Sequence, residues 1–297
     1  MTYQEFLKTL YDLIRKQFSE DTKITIQPVT KNNGTIYDAL TIFCNQINVS
    51  PTIYLNSYYL KYLEGISVEE ICDEILAAFH ELKPAENMDV SFFTDYRKIK
   101  ERIVFKLVNY AKNQPLLSDV PHIRFLDLAL VFYCFLPQSR DYHATILIHN
   151  HHLRLWGTST DTLYRIATEN TPRLLPWQLD DMQQLLMQTL PQKERPPLEL
   201  EGGPAMYILS NCDKRNGASA LCYNGLLLRL SEELHSDFLI LPSSIHEVIL
   251  VPDSGMDSFP EINAMIQEIN ETQLADEEVL SDHAYYFSRK EGQIILP

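Results

Sequence analysis

Ser243, Ser244, His246 and Glu247 bring together the side-chain types of a nucleophile, a general base and an orienting acid. A serine hydroxyl attacks only when a neighbouring base takes its proton, and a carboxylate then fixes the tautomer of that base. On an extended corner alternate side chains share a face, so Ser244 and His246 would lie together while Glu247 points away. No G-x-S-x-G elbow is present to expose either serine. The competing reading is a turn whose Ser hydroxyls and Glu satisfy main-chain groups. The turn is the preferred reading, with catalysis and ligand or partner binding left open beside it.

A second group is His149-Asn150-His151-His152. On a strand-like tip His149 and His151 share a face, and a third imidazole such as His143 could complete a set of metal ligands. The alternative is a polar hairpin tip with exposed imidazoles. His80-Glu81 and His246-Glu247 each begin H-E-x-x-H, but Pro84 and Leu250 stand where the second histidine is needed. Phosphate-cradling G-x-x-x-x-G-K-[ST] and G-x-G-x-x-G loops are missing, as is the zinc-deaminase signature. No cofactor is expected. The turn Asn211–Gly217 carries Lys214 and Arg215, a local basic pair in an acidic C-terminal part, and an anion contact there is the alternative to a simple turn.

The elements that must position these groups follow from apolar periodicity. Phe238–Leu241 and Val248–Val251 are short, wholly apolar runs, read as strands buried on both faces with Pro242–Glu247 between them. The first residues, Tyr3 to Phe18, form an amphipathic helix rather than a signal peptide. Lys23–Thr30 and Thr35–Cys44 are hairpin arms around Asn33-Gly34, and Thr52–Leu55 is a short strand. Tyr58–Leu63 is helical. Ser67 and Glu70 make a capping box before a helix that ends near Pro84.

Ile99–Tyr110 and Leu126–Leu136 read as strands, and Ala144–His149 with Leu153–Trp156 as arms of a second hairpin. Helices are expected over Ser159–Asn170, Trp177–Thr189, Leu226–Leu234 and Pro260–Thr272. Ala284–Phe287 and Gln293–Leu296 form a terminal hairpin. The stretches 144–150 and 218–224 echo one another weakly; coincidence between two strand-then-turn patterns is the preferred reading, with a duplicated β-β-α unit as the alternative. The expected class is α+β, with mixed, mostly antiparallel sheets and helices packed on one side. Residues 191–204 hold four prolines and two glycines. They read as a linker or surface loop between an N-terminal lobe, 1–190, and a C-terminal lobe, 205–297.

Bulk composition narrows the function classes. At 297 residues and 45% hydrophobic content the chain can bury a substantial core. The net charge of −15 argues against binding nucleic acid or anionic membrane directly. No apolar run is long enough for a membrane span. The charge is uneven: from Asp253 through Ser288 there is no Lys or Arg, while Asp, Glu or both recur throughout. A solvated helix face is the plain reading; an acidic surface for a basic partner is the sharper one. Five scattered cysteines without C-x-x-C fit reduced, mostly buried thiols in a cytosol.

Three stretches carry a family resemblance: R-I-V-F-K-L-V-N-Y (102–110) with F-L-D-L-A-L-V-F-Y (125–133), L-W-G-T-S-T-D-T-L-Y-R-I-A-T-E-N-T-P-R-L (155–174), and L-P-S-S-I-H-E-V-I-L-V-P (241–252). Together they resemble an uncharacterised family of intracellular proteins from clostridial-type bacteria, across nearly the whole chain. A fainter similarity runs to a second uncharacterised bacterial family with a late V-P-x-x-D-V-L-I-type strand. The resemblance implies a cytosolic bacterial protein, one complete family unit, and an accessory gene of the kind carried on mobile elements. It implies no activity, substrate or catalytic residue.

Three functions of different class fit these observations. The first is a noncatalytic interaction or regulatory protein whose acidic surface meets a basic protein partner. The second is a hydrolase of unfamiliar type built on the 243–247 corner. The third is a nucleic-acid mimic that blocks a nucleic-acid-binding protein.

Overall fold

The computed structural model describes residues 1–44, 49–83, 91–137, 143–189, 205–253, 255 and 258–297. The class is α+β, and every strand pairing among the described residues is antiparallel. The contacts of the chain gather into two compact units, Met1–Phe92 and Phe93–Pro297.

The first unit begins with α1 (Tyr3–Lys16), started by a capping box between Thr2 and Glu5. β1 (Lys23–Thr30) and β2 (Ile36–Phe43) form the expected hairpin, with Asn33 and Gly34 both at positive φ in the turn. β3 (Thr52–Tyr54) adds to β2, α2 (Asn56–Leu63) follows, and α3 (Val68–Leu82) starts at the expected Ser67–Glu70 box. The apolar stripes of α1 and α3 meet the inner face of the sheet in one core containing Phe6, Leu10, Leu40, Ile42, Ile71 and Phe79. Each stripe is dry because its residues recur at helical spacing and the strand residues at alternate positions.

The second unit runs through α4 (Tyr96–Ile99), β4 (Ile103–Asn109), α5 (Gln114–Leu117), β5 (His122–Phe125), β6 (Leu128–Pro137), β7 (His143–Leu147), α6 (Asn150–Trp156) and α7 (Thr160–Leu174). The long strand β6 pairs with β4 on one side and with β5 and then β7 on the other. α7 lies along β4. There Thr171 Oγ1 accepts from the Phe105 main-chain N–H at 3.1 Å, so the edge strand keeps a partner for a buried donor. That docking explains why α7 continues through Pro172 instead of closing before it: Asn170 and Thr171 are buried by contact with β4.

The rest of the unit is β8 (Trp177–Asp181), α8 (Met182–Thr189), β9 (Tyr207–Asn211), a 3₁₀ turn Gly217–Cys222, α9 (Leu226–Glu233), β10 (Phe238–Leu241), β11 (Val248–Pro252), α10 (Phe259–Gln273), β12 (Tyr285–Ser288) and β13 (Gln293–Ile295). The strands form a six-stranded sheet in the order β13-β12-β10-β11-β9-β8. One face carries Leu239, Val251 and Ala284 against Ile266 of α10. The alternate residues Phe238, Ile240, Leu250 and Tyr285 are fully buried as well, so the central strands are covered on both faces, as their uninterrupted apolar runs predict.

Three sequence expectations need correction. Leu153–Trp156 is not a hairpin arm but part of α6, and β7 pairs with β6 instead. Trp177–Thr189 is a strand followed by a helix, because Trp177–Asp181 pairs along β9. Ala218–Tyr223 falls in the 3₁₀ turn rather than a strand, so the echo with 144–150 is not a repeated unit. Separately, the contacts of the chain divide at Phe92–Phe93. Residues 191–204 lie outside the described ones, and β8 and β9 on either side of them pair directly.

Candidate functional site

The corner Pro242–Glu247 joins β10 to β11 in a buried setting, and its chemistry is set by where its main-chain groups go. Ser244 is buried, and its Oγ accepts from the main-chain N–H of His246 at 3.0 Å, a side-chain-closed turn. The Ser244 N–H donates to the Glu247 carbonyl at 3.2 Å. Ile245 donates its N–H to the Glu278 carbonyl at 2.8 Å and accepts from the Ala218 N–H at 3.3 Å. The His246 carbonyl accepts from Ser210 Oγ at 2.8 Å.

The imidazole of His246 is held from two sides. Its Nδ1 accepts from the Asn216 main-chain N–H at 3.2 Å, and its Nε2 faces Glu278 Oε1 at 3.5 Å. A nitrogen that accepts carries no proton, so the neutral ring bears its hydrogen on Nε2, toward the carboxylate. The lone pair that a general base needs is therefore occupied by the Asn216 N–H. Ser244 meets the main chain of His246, not its ring. The bond between the His246 N–H and Ser244 Oγ closes a turn. Ser243 and Glu247 are half-buried in the same corner.

Sequence reasoning missed the groups that hold this ring. Glu278 lies in the acidic run and has no motif around it. Asn216 is left-handed, at φ 53°, and Gly217 follows it where no side chain fits. The Asn-Gly pair was the available signal. In the same turn Arg215 meets Asp213 through Nε at 3.1 Å, and Lys214 meets Asp180 at 3.5 Å. Both cations of the suspected anion contact thus pair with carboxylates of this chain.

The histidine group sits at the start of α6. His149 Nδ1 lies 2.7 Å from Asp119 Oδ2, and the His149 main-chain N–H donates to His152 Nδ1 at 2.9 Å. His152 stacks on Trp156 and meets the Phe93 ring edge-on, with centroids 5.4 and 4.8 Å away. Burial, helped by the neighbouring His151 and His149, pushes the His152 imidazole down to about 4, against an opposing pull from Asp119. His149 is the N-cap of α6 and His151 lies in its first turn, with ring centroids 5.6 Å apart, so the pair is not on one face of a strand. His143 lies in β7, and its side chain is outside the described ones. Among the described residues no group of three His, Cys, Asp or Glu side chains could hold a metal ion.

A further polar centre had no sequence signal at all. Asp127, in the turn before β6, accepts from Ser281 Oγ and from the Tyr285 hydroxyl, each at 2.7 Å. Burial, then the Asp127 charge, pushes the Tyr285 phenol far above its usual range. Its three members lie 154 and 158 residues apart in sequence, which is why no local pattern announces them. The carboxylate has both oxygens satisfied by neutral donors, so the cluster ties segments together.

The acidic stretch is the remaining candidate. α10 buries Ile266 and Asn270 and turns Glu261, Glu268 and Glu271 to solvent. Among the described residues none of these three carboxylates enters an ion pair. Lys112 reaches into the stretch, 3.6 Å from Asp282.

With this geometry described, comparison with known proteins adds one match: the sequence model of a family of unknown function, DUF5688, matches residues 3–289. No curated protein and no solved structure matches the chain.

Proposed function

The chain belongs to that family of unknown function, and on that premise we propose that it is a noncatalytic interaction protein whose acidic C-terminal surface receives a basic protein partner. The observation that carries this reading is the uncompensated charge of α10. Glu261, Glu268 and Glu271 are exposed and unpaired among the described residues, in a stretch from Asp253 through Ser288 without Lys or Arg. Carboxylates left without a cation repel one another, and a partner's Lys and Arg relieve that repulsion while steering encounter. The same field disfavours phosphate backbones and anionic membranes.

We place the protein in the bacterial cytosol. Free thiols at Cys44, Cys72, Cys134, Cys212 and Cys222 support a reducing compartment. No described helix is long and apolar enough to cross a membrane. The three resemblance stretches support a bacterial, accessory role.

Affinity capture from a bacterial lysate at low and high salt tests the reading, with wild-type protein compared with an E261K/E268K/E271K variant. The expected result is one recurrent basic protein, lost at high salt and lost with the variant. Recurrent capture that ignores both salt and charge reversal would refute the reading, as would no specific protein over repeated trials.

A further inference from the structure

Resting on the acidic-surface reading, the geometry points to a narrower partner: an amphipathic basic helix that docks on one flank of α10. The inward stripe of α10 is Phe259, Ile262, Ile266 and Asn270, each buried or half-buried. At 3.6 residues per turn, Glu261, Met265, Glu268 and Ile269 fall on a single outward flank, spaced i, i+4, i+7 and i+8. Met265 and Ile269 are 46% and 43% exposed, one turn apart, with the two carboxylates beside them.

An apolar pair one helical turn apart is the anchor spacing of helix-on-helix recognition. Charge selects among apolar partners. A neutral apolar segment would bury Glu261 and Glu268 without compensation, which is strongly unfavourable. A segment with Leu-type residues on one stripe and Lys or Arg flanking it covers Met265 and Ile269 while pairing both carboxylates. The occupant is therefore a Lys/Arg-rich amphipathic helix, not an extended basic tail, which would meet the charge and leave the apolar pair wet.

Fluorescence anisotropy with two labelled synthetic peptides decides the matter. One peptide is built of Leu and Lys with Leu at helical spacing; the other is its scramble, equal in composition and charge but without the stripe. The full-length protein is expected to bind the striped peptide about tenfold tighter than the scramble. M265S/I269S should abolish that preference and leave scramble binding unchanged. E261K/E268K should weaken both peptides. Circular dichroism of each variant confirms folding, which these solvent-facing changes leave intact. Equal binding of the two peptides, or a preference that survives M265S/I269S, overturns the helix inference. If E261K/E268K still weakens binding in that case, the acidic-surface reading stands alone. Binding that ignores both variants removes both readings.

Discussion

Gly217 is the tightest point of the histidine corner, and Gly217→Ala should be among the most damaging small substitutions in the second unit. A Cβ at this position would stand 2.1 Å from Ser210 Oγ, 2.5 Å from the His246 carbonyl oxygen and 2.7 Å from the Asn211 nitrogen. The first contact could yield, because a serine side chain rotates. It would then give up the 2.8 Å bond from Ser210 to the His246 carbonyl in a buried setting. The other two contacts are main chain of β9 and of the corner, and they yield only if the sheet moves.

Overpacking of this kind costs about 1–3 kcal/mol, and orphaning a buried hydrogen-bonding group costs about 1–3 kcal/mol more. The expected loss is roughly 2–6 kcal/mol. Urea unfolding followed by tryptophan fluorescence measures it in the right unit, because Trp156 and Trp177, the two tryptophans of the chain, both lie within Phe93–Pro297. Ser210→Ala provides the cycle: combined with Gly217→Ala it removes the closest contact but neither main-chain contact, so it should recover only part of the loss. A Gly217→Ala loss below about 0.5 kcal/mol, with an unchanged denaturant slope, would show that the corner is not packed as described.

Three further outcomes follow from single contacts. Thr171→Val removes the acceptor for the Phe105 N–H and should cost about 1–3 kcal/mol by chemical denaturation; a neutral result would mean that α7 does not satisfy β4. Ser67→Ala breaks the capping box of α3 and should cost about 1 kcal/mol, read as a lower thermal midpoint, whereas no change would place the start of α3 elsewhere. The His152 ring has a folded pKa depressed to about 4, so the unfolded chain takes up its proton first as pH falls. Its contribution should therefore fall away between the unfolded value near 6.5 and about 4, with no pH dependence from this group above that window. His152→Gln should flatten that part of the stability profile, and an unchanged profile would contradict a half-buried ring held neutral.

Legibility in the sequence tracked how local each cause was. The Ser67–Glu70 capping box, the Asn33-Gly34 hairpin and the amphipathic stripes of α1 and α3 are written within a few residues, and each appears where it was expected. Errors arose where tertiary contact decided. Trp177–Asp181 has a helix-like composition but becomes a strand because β9 offers a partner from beyond residues 191–204. Leu153–Trp156 alternates like a strand, yet the Asp119 contacts to His149 and to the Asn150 N–H start a helix there. The helix expected over Ser159–Asn170 runs on through Pro172, because the packing of Asn170 and Thr171 on β4 outweighs the hydrogen bond that the proline removes.

The corner that looked most like an active site owes its composition to backbone accounting. A connection between two strands that are buried on both faces, itself half-buried here, needs protein partners for the peptide groups it turns inward. Here the N–H groups of Ser244, Ile245 and His246 and the carbonyls of Ile245, His246 and Glu247 each have a partner. Two of those partners are serine hydroxyls, Ser244 within the corner and Ser210 from β9. His246 then pins the corner to the Asn216 turn and to Glu278. Ser, His and Glu are the residue types that hydrolysis needs, and they are also the types that a buried turn needs. What separates the two uses is the direction of the hydroxyl. In the corner the Ser244 oxygen is turned to the peptide N–H of His246, where it closes the turn.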